Sequence, residues 1–308
     1  MKQSATKNRW EKRPKRMACI GEAMIELSLD GSGDVARIGV AGDTLNTAVY
    51  LRRNWPGEVA YVTALGTDAM SEKIAEFIRS EGISDDLLIR SPEHMPGLYA
   101  ISTDATGERS FTYWRENSAA RSLFQPGIGP KLDALSGYDA VFLSAISLAI
   151  LPPDMREQLL NWLAGYRERG GLVIFDSNYR PRLWEDIETA RDVISRAWEL
   201  TDIGLPSVDD EIAIFGDADE AAVLARLFAA GLRFGALKRG DAGPLPLSGC
   251  QVDQPYPVAD RIIDTTAAGD SFNGGFLAAW ANGGTEADAL LAGHICARGV
   301  VGLRGAFG

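Results

Sequence analysis

Two histidines, His94 and His294, and three cysteines are all the imidazole and thiol this 308-residue chain contains. So few histidines argue against a serine–histidine triad and against a histidine-rich zinc site. The cysteines, Cys19, Cys250 and Cys296, are odd in number and far apart. They form neither a disulfide framework nor a metal-ligand cluster, so the expected compartment is a reducing cytoplasm. No apolar run reaches the length that crosses a bilayer, and no membrane partner is expected. Lys and Arg total 31 against 42 Asp and Glu, a net charge of −11 that a nucleic-acid backbone would repel. Two phosphate fingerprints are missing as well: there is no Gly-x-x-x-x-Gly-Lys-Ser/Thr loop and no Gly-x-Gly-x-x-Gly after the first strand. The second absence argues against a dinucleotide-dependent dehydrogenase.

What basic charge there is gathers at the start. Residues 1–16 hold seven Lys or Arg, from Lys2 to Arg16, against Glu11 alone. The stretch has no apolar core, so it is not a secretory signal, and it reads as a flexible extension ahead of the fold or as a start placed too early, with the real one at Met17. From residue 17 to 308, short apolar runs alternate with longer amphipathic ones, the pattern of a mostly parallel sheet flanked by helices. Strands are expected at Ala18–Ile20, Val59–Ala64, Ala140–Ser144, Val173–Asp176, Ile203–Leu205 and Phe234–Lys238. Helices are expected at Thr44–Arg53, Ser71–Glu81, Asp154–Arg169, Glu188–Glu199 and Glu220–Ala230. Several strands end in Gly or a polar residue (Gly21, Gly66, Asp176, Lys238), and in open α/β sheets the ligand crevice lies outside those ends. One segment breaks the rhythm: Leu98–Thr103 and Arg109–Arg115 read as a hairpin whose five-residue loop has Gly107 for a positive φ. If Thr103 pairs with Arg109, Ile101 faces Phe111 and Tyr99 faces Tyr113, and Tyr99, Tyr113 and Arg115 share one face. Two phenols and a guanidinium there suit a hydroxylated anion, or simply a solvated hairpin face.

The segment Asp264-Thr265-Thr266-Ala267-Ala268-Gly269-Asp270 runs straight into a small-residue helix pattern, Ser271 to Trp280. Small residues let backbone approach a ligand, and the free N–H groups of a helix start attract anions. A carboxylate in such a place would repel a phosphate, unless it takes the proton of a hydroxyl that attacks the phosphate. Asp270 therefore suggests a kinase; its other reading is a helix N-cap. Ala41-Gly42-Asp43-Thr44-Leu45-Asn46 enters a second helix, with Gly42 permitting close approach and Asp43 and Asn46 able to bind sugar hydroxyls. Arg180, in Asp176-Ser177-Asn178-Tyr179-Arg180-Pro181 after a strand, is placed to meet an anion or to sit in solvent. Leu237-Lys238-Arg239-Gly240-Asp241-Ala242-Gly243 could lay a nucleotide against Gly240 and Gly243, or be a plain turn. In Ser207-Val208-Asp209-Asp210-Glu211, a carboxylate could orient Mg²⁺ through water, or cap an acidic helix start. His294, in Ala-Gly-His-Ile-Cys, reads as helix packing rather than as a catalyst.

With these residues on the page, the chain resembles the ribokinase-type (PfkB) sugar kinases. The Ala41–Asn46 and Asp264–Asp270 motifs carry the resemblance, by their order and their wide separation, and it spans residues 17 to 308. Within the family it is most similar to the kinases of 2-keto-3-deoxygluconate. That narrower match rests on Gly21–Leu27, Gly97-Leu98-Tyr99, Thr106–Arg115, Asn178–Trp184 and Arg304-Gly305-Ala306. The resemblance implies an α/β fold, a three-layer core with a small β lid drawn from about 22–40 and 97–116. It implies Asp270 as catalytic base and Ala267, Ala268 and Gly269 as an anion hole. Gly42, Asp43, Asn46, Tyr99, Tyr113, Arg115 and Arg180 fall where the acceptor would lie, and Asn178, Ser207, Lys238, Gly240, Gly243 and Gly269 near the nucleotide. ATP and Mg²⁺, with Asp210 acting through water, are the implied cofactors; a monovalent cation near Asp264 and Thr266 and a homo-oligomer are compatible with it. The activity implied is phosphorylation of the C6 hydroxyl of the keto-deoxy acid. A fructose, ribose or sugar-phosphate kinase of the same family, or a catalytically silent sugar-acid sensor, remain alternatives. The chain departs from the family in having Ala267 where Gly is common, which is harmless if φ there is negative. It also has Ser207-x-x-Asp210 in place of Asn-x-x-Glu, and it stops three residues after Gly305.

Overall fold

The computed structural model describes residues 8–29, 33–103, 109–125, 131–252, 255–303 and 305–307. Residues 1–7, the hairpin loop with Gly107, and Arg304 lie outside the described residues. Strands β1 (Arg16–Ile20), β2 (Met24–Leu29) and β3 (Ala36–Ala41) lead into α1 (Asp43–Asn54), followed by β4 (Glu58–Leu65), α2 (Ala69–Ser80) and β5 (Leu88–Arg90). Then come the hairpin strands β6 (Gly97–Thr103) and β7 (Arg109–Trp114), β8 (Ala140–Ser144), α3 (Ala145–Ala149), α4 (Pro153–Glu168), β9 (Leu172–Asp176), α5 (Ile187–Glu199) and β10 (Ile203–Gly204). The chain ends with α6 (Val208–Phe215), α7 (Glu220–Ala229), β11 (Ala236–Leu237), β12 (Leu245–Pro246), α8 (Ala268–Ala281) and α9 (Glu286–Val300).

The main sheet runs β10-β9-β8-β1-β4-β5, every pair parallel. Single bridges Gly204–Gly235 and Ser207–Lys238 carry it on toward β11. Its strands are apolar on both faces because helices cover both. In β1, Ala18 and Ile20 join one core cluster while Met17 and Cys19 join the other. Strand order reverses beside β1, so the carboxyl ends of β1, β8 and β9 open onto one crevice. A second sheet, β3-β2-β6-β7, stands over that end, with β2 and β6 parallel and the other pairs antiparallel. Its strands occupy the two stretches expected for a lid and run one residue beyond, to Ala41. The hairpin register is the expected one: Thr103 pairs with Arg109, Ile101 with Phe111 and Tyr99 with Tyr113.

Helices α1 and α8 pack almost backbone to backbone. A Cβ at Gly274 would stand 2.8 Å from the Thr47 carbonyl oxygen and from the Leu51 nitrogen, so only glycine fits there. That approach brings the first turns of α1 and α8 side by side.

The expectation of a flexible extension up to residue 16 is corrected from Asn8 onward. Arg9 Nε donates to the buried Asp202 at 2.7 Å, the Trp10 ring stacks on Phe234 at 5.6 Å, and Trp280 Nε1 donates to the Trp10 carbonyl at 2.9 Å. The charge of Arg9 is spent on the buried Asp202, and Trp10 supplies the apolar anchor. Among the described residues no helix is long and apolar enough to cross a membrane.

Candidate active site

A cleft of about 1400 Å³ lies between the carboxyl end of the main sheet and the second sheet. Every residue singled out in the sequence as catalytic, acceptor-binding, nucleotide-binding or metal-binding lines it, apart from Gly243 and the buried Asp264. Gly243 sits at φ +76 in a turn against the Tyr256 ring, which a Cβ would strike at 2.7 Å. Its glycine answers a packing demand outside the cleft.

Asp270 is not the N-cap of α8. That position is Ala267, and Asp270 lies in the first helical turn with no side chain capping the helix start. The Ala268 amide donates to the Thr265 carbonyl at 3.2 Å, and no side chain caps the amides that follow it at the cleft. The Asp270 carboxylate is half-buried and accepts from Asn46 Nδ2 at 2.8 Å, while its carbonyl accepts from Thr47 Oγ1 at 3.2 Å. Burial first, then the charge of Asp43 and, more weakly, of Asp176, push its pKa up to about 8; Asn46 and Lys238 act in the opposite direction. Ala267 corrects another expectation. Its φ is +60 and ψ 13, so the residue commonly Gly in the family is here an alanine held in the left-handed region.

Behind the helix start, Lys238 Nζ donates to Asp176 Oδ2 at 2.8 Å and to Asn273 Oδ1 at 3.2 Å, and Asn273 Nδ2 donates to Asp176 Oδ2 at 2.6 Å. A Cβ on Gly269 would stand 3.7 Å from Lys238 Nζ, so this ammonium underlies the α8 N-terminus. Asp43 Oδ2 accepts from Ser144 Oγ at 2.5 Å and from Asn178 Nδ2 at 3.0 Å. Asn178, expected beside the nucleotide, is thus tied to Asp43. Burial, and then the charge of Asp176, raise Asp210 to about 6; Arg180 lies 3.7 Å away and lowers it.

Tyr99 and Tyr113 share the cleft-facing side of the hairpin with ring centroids 5.5 Å apart. Tyr99 donates its hydroxyl to the buried Glu26. Arg115 and Arg180 open onto the same cleft. Arg115 is not a free guanidinium: Nη2 donates to Glu22, whose side chain is buried. His294, expected in helix packing, stands half-buried at the cleft edge with Nε2 2.8 Å from the Pro257 carbonyl.

Sequence reading missed Phe111, Ser144, Asn273, Glu22 and the bridging role of Asp176. Phe111 carries a signal, since period two puts it on the face of Tyr113 and Arg115. Asn273 lies three residues after Asp270, on the same helix face. Ser144 and Asp176 end buried strands at the crevice. Glu22 gives no local sign of its partner, which lies 93 positions away.

The profile of the pfkB family carbohydrate kinases matches residues 14–307. The chain is 44% identical over 300 residues to the 2-dehydro-3-deoxygluconokinase of Escherichia coli strain K12, covering 95% of this chain and 96% of that protein. Its fold is similar to the aminoimidazole riboside kinase of Salmonella enterica, solved with aminoimidazole riboside and an ATP analogue. There the TM-score is 0.79, with 23% identity over 94% of this chain and 95% of the other. It is also similar to a double mutant of the fructokinase of Vibrio cholerae O395, solved with fructose, ADP and potassium ion, with TM-score 0.81 and 23% identity over 96% and 95% of the two chains. A ribokinase-like core with a small second sheet, matched along nearly its whole length by the family profile, leaves one assignment: the chain belongs to the pfkB family of carbohydrate kinases.

Proposed function

We propose that the chain is an ATP-dependent 2-dehydro-3-deoxygluconokinase that phosphorylates the C6 hydroxyl of 2-keto-3-deoxy-D-gluconate. The observation that carries the reading is the placing of Asp270, at the uncapped start of α8, in one cleft with Arg115 and Arg180. The 44% identity to a kinase of that name supports the acceptor.

Asp270, held by Asn46, orients the acceptor hydroxyl and takes its proton. Its pKa near 8 keeps it basic enough to do so close to neutral pH. The first turn of α8 at Gly269, with Lys238 beneath it, takes up charge on the transferred phosphoryl oxygens. Asp43, fixed by Ser144 and Asn178, binds an acceptor hydroxyl, and Tyr99 and Tyr113 flank the sugar chain. Arg115 and Arg180 face its carboxylate end. Mg²⁺, when bound with the nucleotide, neutralises phosphate charge, and Asp210 would hold it through water. The fit is physical: burial, and then the charge of Asp176, raise the Asp210 pKa, and a cation beside it would relieve both.

A coupled assay over 2-keto-3-deoxygluconate, fructose, ribose and sugar phosphates tests the reading. The keto-deoxy acid is expected to give the highest kcat/KM. A neutral sugar or sugar phosphate that surpasses it would assign the chain to another member of the family, and binding without turnover of any acceptor would make it a sensor. Asp270→Asn is expected to lower kcat by at least about 10³-fold, a loss within the range assigned to a positioned base.

A further inference from the structure

Resting on the proposed acceptor, we infer that Glu22 is a specificity-determining residue that keeps Arg115 half-neutralised, so that the acceptor end of the cleft takes a monoanion and rejects a dianion. The residue stands in the link between β1 and β2, outside the cleft lining, and acts through Arg115 as a positioning residue.

The site around it is built for a carboxylate. The Glu22 side chain is 1% exposed and that of Arg115 10%. A Cβ at Gly97 would stand 2.5 Å from Glu22 Oε1 and 3.2 Å from the Arg115 Cβ, so the strand bearing Tyr99 makes room for the pair by having no side chain there. A Cβ at Gly42 would strike the Glu22 carbonyl oxygen at 2.2 Å, which ties the same residue to the turn that leads to Asp43 and Asn46. The pairing is single rather than forked. Arg115 Nη2 meets Glu22 Oε2, while Arg115 Nε and Glu22 Oε1 have no partner among the described residues. A fork-to-fork pair would have satisfied all four atoms.

Two consequences follow. Arg115 cannot leave Glu22 to serve a ligand, because a buried carboxylate stripped of its cation is strongly disfavoured. It therefore meets the acceptor as one half of a nearly neutral pair. Asp43 and Asp270 face the same space and are both anionic when ionised. With Glu22 offsetting Arg115 and Asp210 standing 3.7 Å from Arg180, the acceptor end has no cationic surplus, only the local attraction of the two guanidinium groups. One carboxylate can be met by those two guanidinium groups; a phosphate, carrying close to two charges at neutral pH, adds repulsion from Asp43 and Asp270 that they do not offset.

The test uses the full chain and three acceptors that differ in charge: fructose, 2-keto-3-deoxygluconate and fructose 6-phosphate. Glu22→Gln keeps the shape and removes the charge. It is expected to raise the ratio of kcat/KM for fructose 6-phosphate over that for the keto-deoxy acid by about tenfold, the order expected for one partly screened unit charge. The KM for ATP is expected to stay within about twofold, since Glu22 does not line the cleft. Glu22→Asp keeps the charge and shortens the reach, and it provides the test if Glu22→Gln does not fold. It is expected to raise KM for the acid and to leave the ratio unchanged within about threefold, because the neutralising charge persists. An unchanged ratio in Glu22→Gln, an equal loss on all three acceptors, or a ratio that rises as far in Glu22→Asp would overturn the inference. Wild-type enzyme that prefers fructose 6-phosphate outright would instead sink the proposed acceptor, which is a separate failure.

Discussion

Asp270 illustrates how far one side chain's surroundings set the reaction's pH range. Desolvation and the neighbouring Asp43 hold the carboxyl at about 8, and a base works only when ionised. As pH falls through that value the fraction able to accept a proton shrinks. The kcat/KM for the acceptor is therefore expected to fall about tenfold per pH unit on the acid side, with the limb centred near 8. Asn46→Ala removes a hydrogen bond that favours the charged form and should move the limb to higher pH; a pH–rate profile of both proteins measures the shift. Ala267 poses a second problem at this scale. Glycine there would relieve roughly 1–2 kcal/mol of left-handed strain but gain roughly 0.4–1 kcal/mol of unfolded-state entropy. The difference leaves Ala267→Gly neutral or more stable by up to about 1.6 kcal/mol in denaturant titration. Ala267→Val, β-branched at the same φ, is expected to be clearly destabilised. The sequence displayed Asp270 and Asn46 as motif residues, but their partners were not legible. Asn46 and Asp270 lie 224 positions apart, and Arg115 and Glu22 lie 93 apart, so each pairing is made by the fold alone.

Among the elements, those whose side chains alternate or recur regularly were readable. The hairpin register followed from period two and loop length, and β8 came out at its observed bounds because Ala140–Ser144 is a continuous buried run. The end of the main sheet was less legible: β11 covers Ala236–Leu237 only and joins the sheet through single bridges, which leave little periodicity to read. The N-terminal segment misled because its composition is that of a solvated tail, while its fold depends on one aromatic ring. Trp10 lies against Phe234, and the Trp280 indole donates to its carbonyl. Trp10→Ala removes about half of a buried indole's contribution, and is expected to cost about 2 kcal/mol and to lower Tm by about 3 °C. Arg9→Ala withdraws one of two guanidinium groups from the buried Asp202, and Arg167 retains the other at 2.9 Å. Its effect should be the smaller of the two in the same thermal scan, which would establish the ring rather than the charge as the anchor.

At the scale of the molecule, the cleft exists only because both sheets and the α1–α8 pair are in place, so ligands that fill it bind the folded chain and not the unfolded one. Saturating ligand at about one hundred times its Kd then stabilises the fold by about 2.7 kcal/mol. This coupling separates binding from chemistry. Asp270→Asn leaves an acceptor for Asn46 and a side chain of the same shape. It also removes the burial cost of a charge and the repulsion with Asp43 and Asp176, which together raise the wild-type pKa. Affinity for ATP and for an anionic acceptor should therefore be kept or improved. The expected outcome is an undiminished rise in Tm with ATP analogue plus keto-deoxy acid, in a protein whose turnover has collapsed. A variant that lost both the shift and the turnover would make Asp270 a binding group, and the base would have to be sought elsewhere. Turnover close to wild type would mean that loose phosphoryl transfer proceeds here on positioning alone, with the helix start and Lys238 supplying what the carboxylate does not.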